Sequence, residues 1–193
     1  MQFEKELLQK AADKGGKKVA EAFSKLSGSI ATVEVSKVEI MPVAEAVKQI
    51  KRPNKQAIVT YGQLLSGISG VSLLIMTREN ALLLVDLLNQ QAVGTTGILK
   101  DIDRSAIKET LNILSNSYMT ALSEESGIDL GMGVPGMITA ERMEDIIATV
   151  LKKGAKDDDK AVIFETTLVI TKFEVEVSLF LLFNESLIEL MKK

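Results

Sequence analysis

Four residues of the chain stand at a spacing that suits chemistry on a docked partner: Ser105, Glu109, Asn112 and Pro135, in the pattern serine-x3-glutamate-x2-asparagine-x22-proline. On a helix, residues i and i+3 project side by side with Cβ atoms about 5–6 Å apart, so Glu109 and Asn112 can enter one pocket of a partner together. A carboxamide offers a donor and an acceptor, and a carboxylate an anion that only accepts. Ser105, one turn before Glu109, is expected to hydrogen-bond it, to cap the helix or to stand as a plain helix-start residue, and Pro135 to shape the adjacent strand or loop. Ninety-nine positions earlier the same pattern reads Glu6, Lys10, Asp13 and Ser36. There Lys10 reverses the sign of the glutamate, and Asp13 offers an approaching anion no donor. One working site and one degenerate site are therefore expected.

The elements that must carry these residues follow from periodicity. Leu8, Ala12, Gly15, Val19 and Phe23 recur at helical spacing within residues 4–26, as do Ile107, Leu111, Leu114, Tyr118 and Leu122 within 103–123, and the two sets match across the 99-residue shift. Ser105, Glu109, Asn112 and Asn116 fall on the opposite side of the second helix, facing away from the core. Taken by periodicity alone, that stripe reads as a solvated face. Ala22, Ser24, Ser27 and Gly28 are echoed by Ala121, Ser123, Ser126 and Gly127. An extended stretch then follows in each half, Ile30 to Met41 and Ile128 to Thr139, and a short helix, Val43 to Lys51 and Glu141 to Lys153. Each half closes on two strands and a helix. These are Ala57 to Tyr61, Gly70 to Met76 and Arg78 to Gln90, then Ala161 to Ile170, Phe173 to Phe183 and Asn184 to Lys192, with Gly94 to Gly97 as the connector. The alternation of Lys172, Glu174 and Glu176 with Phe173, Val175 and Val177 suggests a sheet with one covered face. The expected class is α+β, one domain of 193 residues made of two fused repeats, 1–96 and 97–193.

Composition closes off other chemistry. The chain has no cysteine and no histidine, which removes disulfides, thiolate chemistry, the usual zinc sets and the usual hydrolase bases; no metal site is expected. A net charge of -3, two tyrosines and no tryptophan argue against nucleic acid as a partner. No apolar run approaches the roughly 18 residues of a membrane span, and Met1 to Lys18 has charges of both signs and no apolar signal region, so a cytoplasmic protein without membrane insertion is expected. Lys48, Lys51, Arg52 and Lys55 read as a solvated basic loop, and Asp157, Asp158 and Asp159 as a surface turn without calcium-loop spacing. The glycines at 127, 131, 133 and 136 form no phosphate-binding fingerprint.

The spacing Ser105, Glu109, Asn112, Pro135 resembles the motif of the CheC, CheX and FliY family of chemotaxis phosphatases, aspartate or serine-x3-glutamate-x2-asparagine-x22-proline. The resemblance spans essentially the whole chain, and the two-copy organisation looks most like CheC. It implies a pseudo-twofold fold with long paired helices over a continuous β-sheet. It further implies removal of the aspartyl phosphate from the response regulator CheY, with Glu109 and Asn112 as the catalytic residues and Ser105 and Pro135 in support. No cofactor of its own is implied, because Mg²⁺ is supplied by the CheY active site. Members of the family often retain both sites, and here Glu6, Lys10, Asp13 and Ser36 depart from the pattern. The alternative that the resemblance leaves open is a CheC-like adaptor that binds phosphorylated CheY, or regulates the deamidase CheD, with little turnover. A monomer is expected, because the fused repeat already contains the pairing a homodimer would supply.

Overall fold

The structure is a computed structural model, and it describes residues 2–50, 57–65, 68–138, 140–151 and 160–190. Two helices of 26 residues each dominate one face: α1 (Gln2–Ser27) and α4 (Asp101–Ser126), set 99 positions apart as the repeat predicts. Both put their periodic apolar residues inside, with Val19 and Phe23 of α1 and Ile107, Leu111, Leu114 and Leu122 of α4 fully buried. Both stop on the echoed glycines, Gly28 at φ 63° and Gly127 at φ 70°, the left-handed conformation that ends a helix without a Cβ penalty. The start of α4 is fixed by Asp103, whose carboxylate accepts the Lys100 N–H at 2.8 Å.

Between them run β1 (Thr32–Pro42), α2 (Val43–Gln49), β2 (Ala57–Gln63), β3 (Gly70–Thr77) and α3 (Arg78–Leu88). After α4 come β4 (Gly136–Ile138), α5 (Met143–Leu151), β5 (Lys160–Ile170), β6 (Val175–Asn184) and α6 (Ser186–Leu190). All pairings in the sheet are antiparallel, in the order β1-β5-β6-β3-β2-β4. That order is symmetric about the β6–β3 seam: β1 answers β4, β5 answers β2 and β6 answers β3. The halves interlock, because β1 of the first repeat pairs with β5 of the second, and β4 of the second pairs with β2 of the first.

Three expectations are corrected. The sheet is covered on both faces: α1, α3 and α4 pack against one, while α2 and α5 seat Val43, Ala46, Met143 and Ile147 over Leu73, Ile75, Ile163 and Leu182 on the other. The cause is visible in β3 and β6, whose near-continuous apolar runs leave no polar face to present to water. The expected strand Phe173 to Phe183 begins only at Val175, because Thr171–Phe173 forms a 3-10 turn and Glu174 adopts a left-handed φ of 54°. Among the described residues of the expected extended stretch Ile128 to Thr139, only Gly136–Ile138 is strand, preceded by an isolated bridge from Met132 to Leu64. Gly131, Gly133 and Pro135 interrupt it, and proline has no N–H for a ladder, which confines such a segment to a sheet edge. The basic run beyond Lys48 and the three aspartates at 157–159 lie outside the described residues.

The long helices cross where Gly15 of α1 meets Tyr118 of α4. A Cβ built on Gly15 would stand 2.8 Å from the tyrosine ring, closer than carbon atoms pack. Glycine inside a helix costs about 1 kcal/mol relative to alanine, and here it admits a buried ring that stacks edge-on against Phe164 with centroids 5.6 Å apart. Gly15→Ala is accordingly expected to destabilise despite the better helix propensity of alanine, by about 1–3 kcal/mol. Differential scanning calorimetry checks this; an unchanged or raised melting temperature would mean that the crossing has slack.

Candidate functional site on the second long helix

Ser105, Glu109, Asn112 and Asn116 lie on one stripe of α4, all exposed except Asn112, which is half-buried. Glu109, Asn112 and Asn116 form a directed ladder. The Asn112 Nδ2 amide reaches Glu109 Oε2 at a long 3.5 Å, and the Asn116 Nδ2 amide donates to Asn112 Oδ1 at 3.0 Å. Glu109 can only accept, so the Asn112 amide group turns toward it and the Asn112 carbonyl oxygen turns away, keeping one lone pair beyond the one Asn116 occupies. The stripe thus presents an anion and an oriented amide oxygen side by side.

Ser105 stands as a plain residue near the start of its helix. Its hydroxyl donates to the Asp101 carbonyl of its own helix at 3.0 Å, and the N-cap position belongs to Lys100. Serine hydroxyls bond back to i-4 carbonyls readily, so a serine one turn inside a helix needs no second partner. Pro135 is half-buried on the segment that enters β4, and β4 is held to β2 by Tyr61, whose ring packs so closely over Gly136 that a Cβ there would stand 2.5 Å from it. Arg104 of α4 ties this segment to the helix through an Nη1 contact of 3.7 Å to the Met137 sulfur. The structure therefore gathers Glu109 and Asn112 directly, and Pro135 lies on the neighbouring segment.

The first copy uses its corresponding positions for structure. The Lys10 ammonium meets Glu125 Oε2 of α4 at 2.8 Å. Asp13 accepts from the Gln9 amide at 2.9 Å, and the Ser36 hydroxyl donates to the Ala12 carbonyl at 3.1 Å, docking β1 on α1. Glu6 and Asp13 are exposed beside an open groove of about 460 Å³ that Lys10, Lys14 and Lys17 also line.

No protein-family model matches the chain. Among solved structures it is similar to FliY of Thermotoga maritima, with a TM-score of 0.74 at 17% identity over 100% of this chain and 95% of that one. It is also similar to FliM in a FliG–FliM complex from H. pylori, with a TM-score of 0.63 at 14% identity over 100% of both chains. A third match is the chemotaxis protein CheX of Desulfovibrio desulfuricans, with a TM-score of 0.54 at 13% identity over 90% of this chain and 98% of that one. Its fold is that of the CheC, CheX and FliY family.

Within this FliY-like fold the two long helices are clamped by charge, which the sequence reading did not anticipate. Lys14 bridges Glu124 at 2.8 Å and Glu125 at 3.1 Å, and Lys18 reaches Glu124 at 2.6 Å. The only trace in the sequence is a break in the repeat, since Glu124 and Glu125 stand where the first copy has Lys25 and Leu26. Hydrogen bonds from Lys14 and Lys18 hold the Glu124 carboxyl down to about 2, and bonds from Lys10 and Lys14 hold Glu125 below the usual carboxylate range. The same contacts raise Lys14. Since the folded carboxyls titrate below their unfolded value of about 4.3, the clamp contributes in full above that pH and is lost as pH falls toward 2. Wild type should therefore melt slightly above Glu124→Gln at pH 7, with the gap closing near pH 2 and shrinking in high salt. A gap independent of both would contradict the clamp.

Proposed function

We propose that the protein is a phosphatase of the chemotaxis pathway that removes the aspartyl phosphate of the response regulator CheY. The observation that carries the reading is the Glu109–Asn112 pair, oriented as a unit on the outward face of α4. An acyl phosphate is already activated, and the receiver brings its own Mg²⁺ and lysine, so little remains to be supplied except an in-line water. The free lone pair of Asn112 Oδ1 accepts a hydrogen bond from that water and directs its oxygen at phosphorus. The water oxygen bonds to phosphorus as the phosphorus–aspartyl oxygen bond breaks, the aspartate leaves as a carboxylate and the proton passes to phosphate or solvent. Glu109 pairs with the receiver's lysine and sets the register. The first copy stays silent, with Lys10 tied to Glu125 and Asp13 unable to donate. The protein acts as a CheC-like monomer in the cytoplasm.

A second reading has its own support. Solved FliM structures with this fold include complexes with FliG and with SpeE, so the fold also serves as a binding module in those proteins. On that reading the chain is an adaptor that holds phosphorylated CheY, or regulates CheD, with little turnover. The readings separate in one assay: the decay of phosphorylated CheY with Mg²⁺ and one protein molecule per many of CheY. Complete accelerated decay means turnover, whereas no acceleration together with tight phosphorylation-dependent binding means an adaptor.

A further inference from the structure

We infer that Asn116 is a positioning residue that fixes the amide of Asn112; the inference rests on the phosphatase reading of the same stripe. An exposed asparagine side chain turns about χ2 with little preference, so Asn112 alone would present its oxygen and its NH2 group to a water almost equally often. Only the oxygen can accept from an attacking water. Glu109 biases the choice weakly, since its contact with Asn112 Nδ2 is 3.5 Å long and at the edge of a hydrogen bond. The Asn116 Nδ2 donor at 3.0 Å sits on the other side and contacts the Asn112 oxygen itself. Rotating Asn112 by half a turn would set its oxygen against the Glu109 carboxylate and break the Asn116 bond as it stands, so Glu109 gives the ladder its direction and Asn116 adds the second, shorter bond that holds it. Asn116 also occupies one of the two lone pairs of that oxygen, leaving a single direction for water.

The internal repeat supports the same unit. At a shift of 99, Glu109, Asn112 and Asn116 correspond to Lys10, Asp13 and Lys17, so the third position departs together with the two of the motif. In the degenerate copy a lysine stands where the donor amide was, and there is no amide left to orient. The i+4 step makes Asn116 the next neighbour of Asn112 up the helix face, within reach without any backbone change.

The test compares wild type, Asn116→Leu, which has similar size and no donor, and Asn116→Gln, which keeps the donor. Rates are measured on phosphorylated CheY with Mg²⁺, and side-chain amide ¹H–¹⁵N spectra on the free proteins. Asn116→Leu should lower kcat about fivefold, the worth of one hydrogen bond of ordinary net strength, with KM unchanged, and Asn116→Gln should recover most of the loss. The Asn112 amide resonances should move in Asn116→Leu. A raised KM at unchanged kcat overturns the inference and makes Asn116 a contact residue. A wild type without turnover overturns the phosphatase reading, and the spectra then decide the ladder separately, since Asn112 resonances that stay in place in Asn116→Leu overturn it.

Discussion

Asp86→Ala is expected to cost about 2–4 kcal/mol of stability, a fall of roughly 5–15 °C in the melting temperature of a chain this size. Asp86 is fully buried near the end of α3, a position that a carboxylate occupies only when its charge is answered. The connector after the helix supplies the answer. Gly94 N–H donates at 2.7 Å, Thr95 N–H and Thr96 N–H at 3.0 Å each, and both threonine hydroxyls add bonds of 3.0 Å and 2.5 Å. Burial pushes this carboxyl up, but the hydrogen bonds from Thr96, Gly94 and Thr95 outweigh it and hold it below its ordinary value. A folded value below the unfolded one of about 3.9 means that the stabilisation is present above that pH and is lost as the solution is acidified further. Asp86→Asn keeps the volume but turns an NH2 group toward donors, so it should lose most of the same stability at pH 7, and the gap to wild type should narrow below pH 4. Urea unfolding across that range reads both effects; a variant as stable as wild type would contradict the account. The site is affected only indirectly, through the connector that leads into the Lys100 cap and the start of α4.

Asn112→Ala should reduce the accelerated decay of phosphorylated CheY about a hundredfold, the usual loss when one group that organises a transition state is deleted. Asp13→Ala, at the matching position of the first copy, should stay within about twofold of wild type. Binding should survive in both, because Glu109 keeps its charge and the helix keeps its core face. The contrast is the sharper test because both substitutions remove a side chain of the same size from the same kind of position on a 26-residue helix. Equal losses would mean that both copies act, or that neither does and the substitutions merely loosen the fold.

Much of the frame was legible in the residues. Leu8, Val19 and Phe23, with Ile107, Leu114 and Leu122, define two helices whose observed bounds differ by only a few residues from the expected ones, because a buried stripe repeated over seven turns leaves few alternatives. Gly28 and Gly127 marked both helix ends through the conformation they adopt. The stripe carrying Glu109 and Asn112 was placed outward for the same reason. What the pattern could not carry was partnership. The pairing of β1 with β5 joins residues 118 to 137 positions apart, and no local periodicity states which strand lies beside which. The Asp86 clamp draws on backbone N–H groups eight to ten residues onward, and every residue type has one. The Lys14 to Glu124 bridge depends on where two helices cross. At Ser105 the sequence left a partner at Glu109, a cap and a plain helix residue all open, and the hydroxyl is satisfied within its own helix.

The most direct measurement is the single-turnover decay of phosphorylated CheY, with Mg²⁺, under saturating wild-type protein and under saturating Asn112→Ala, with binding followed in the same samples. The account predicts that both proteins bind, that wild type empties the phosphorylated pool far faster than CheY does alone, and that Asn112→Ala leaves it close to the intrinsic rate. Decay under Asn112→Ala as fast as under wild type, or no acceleration by wild type despite full binding, would contradict it.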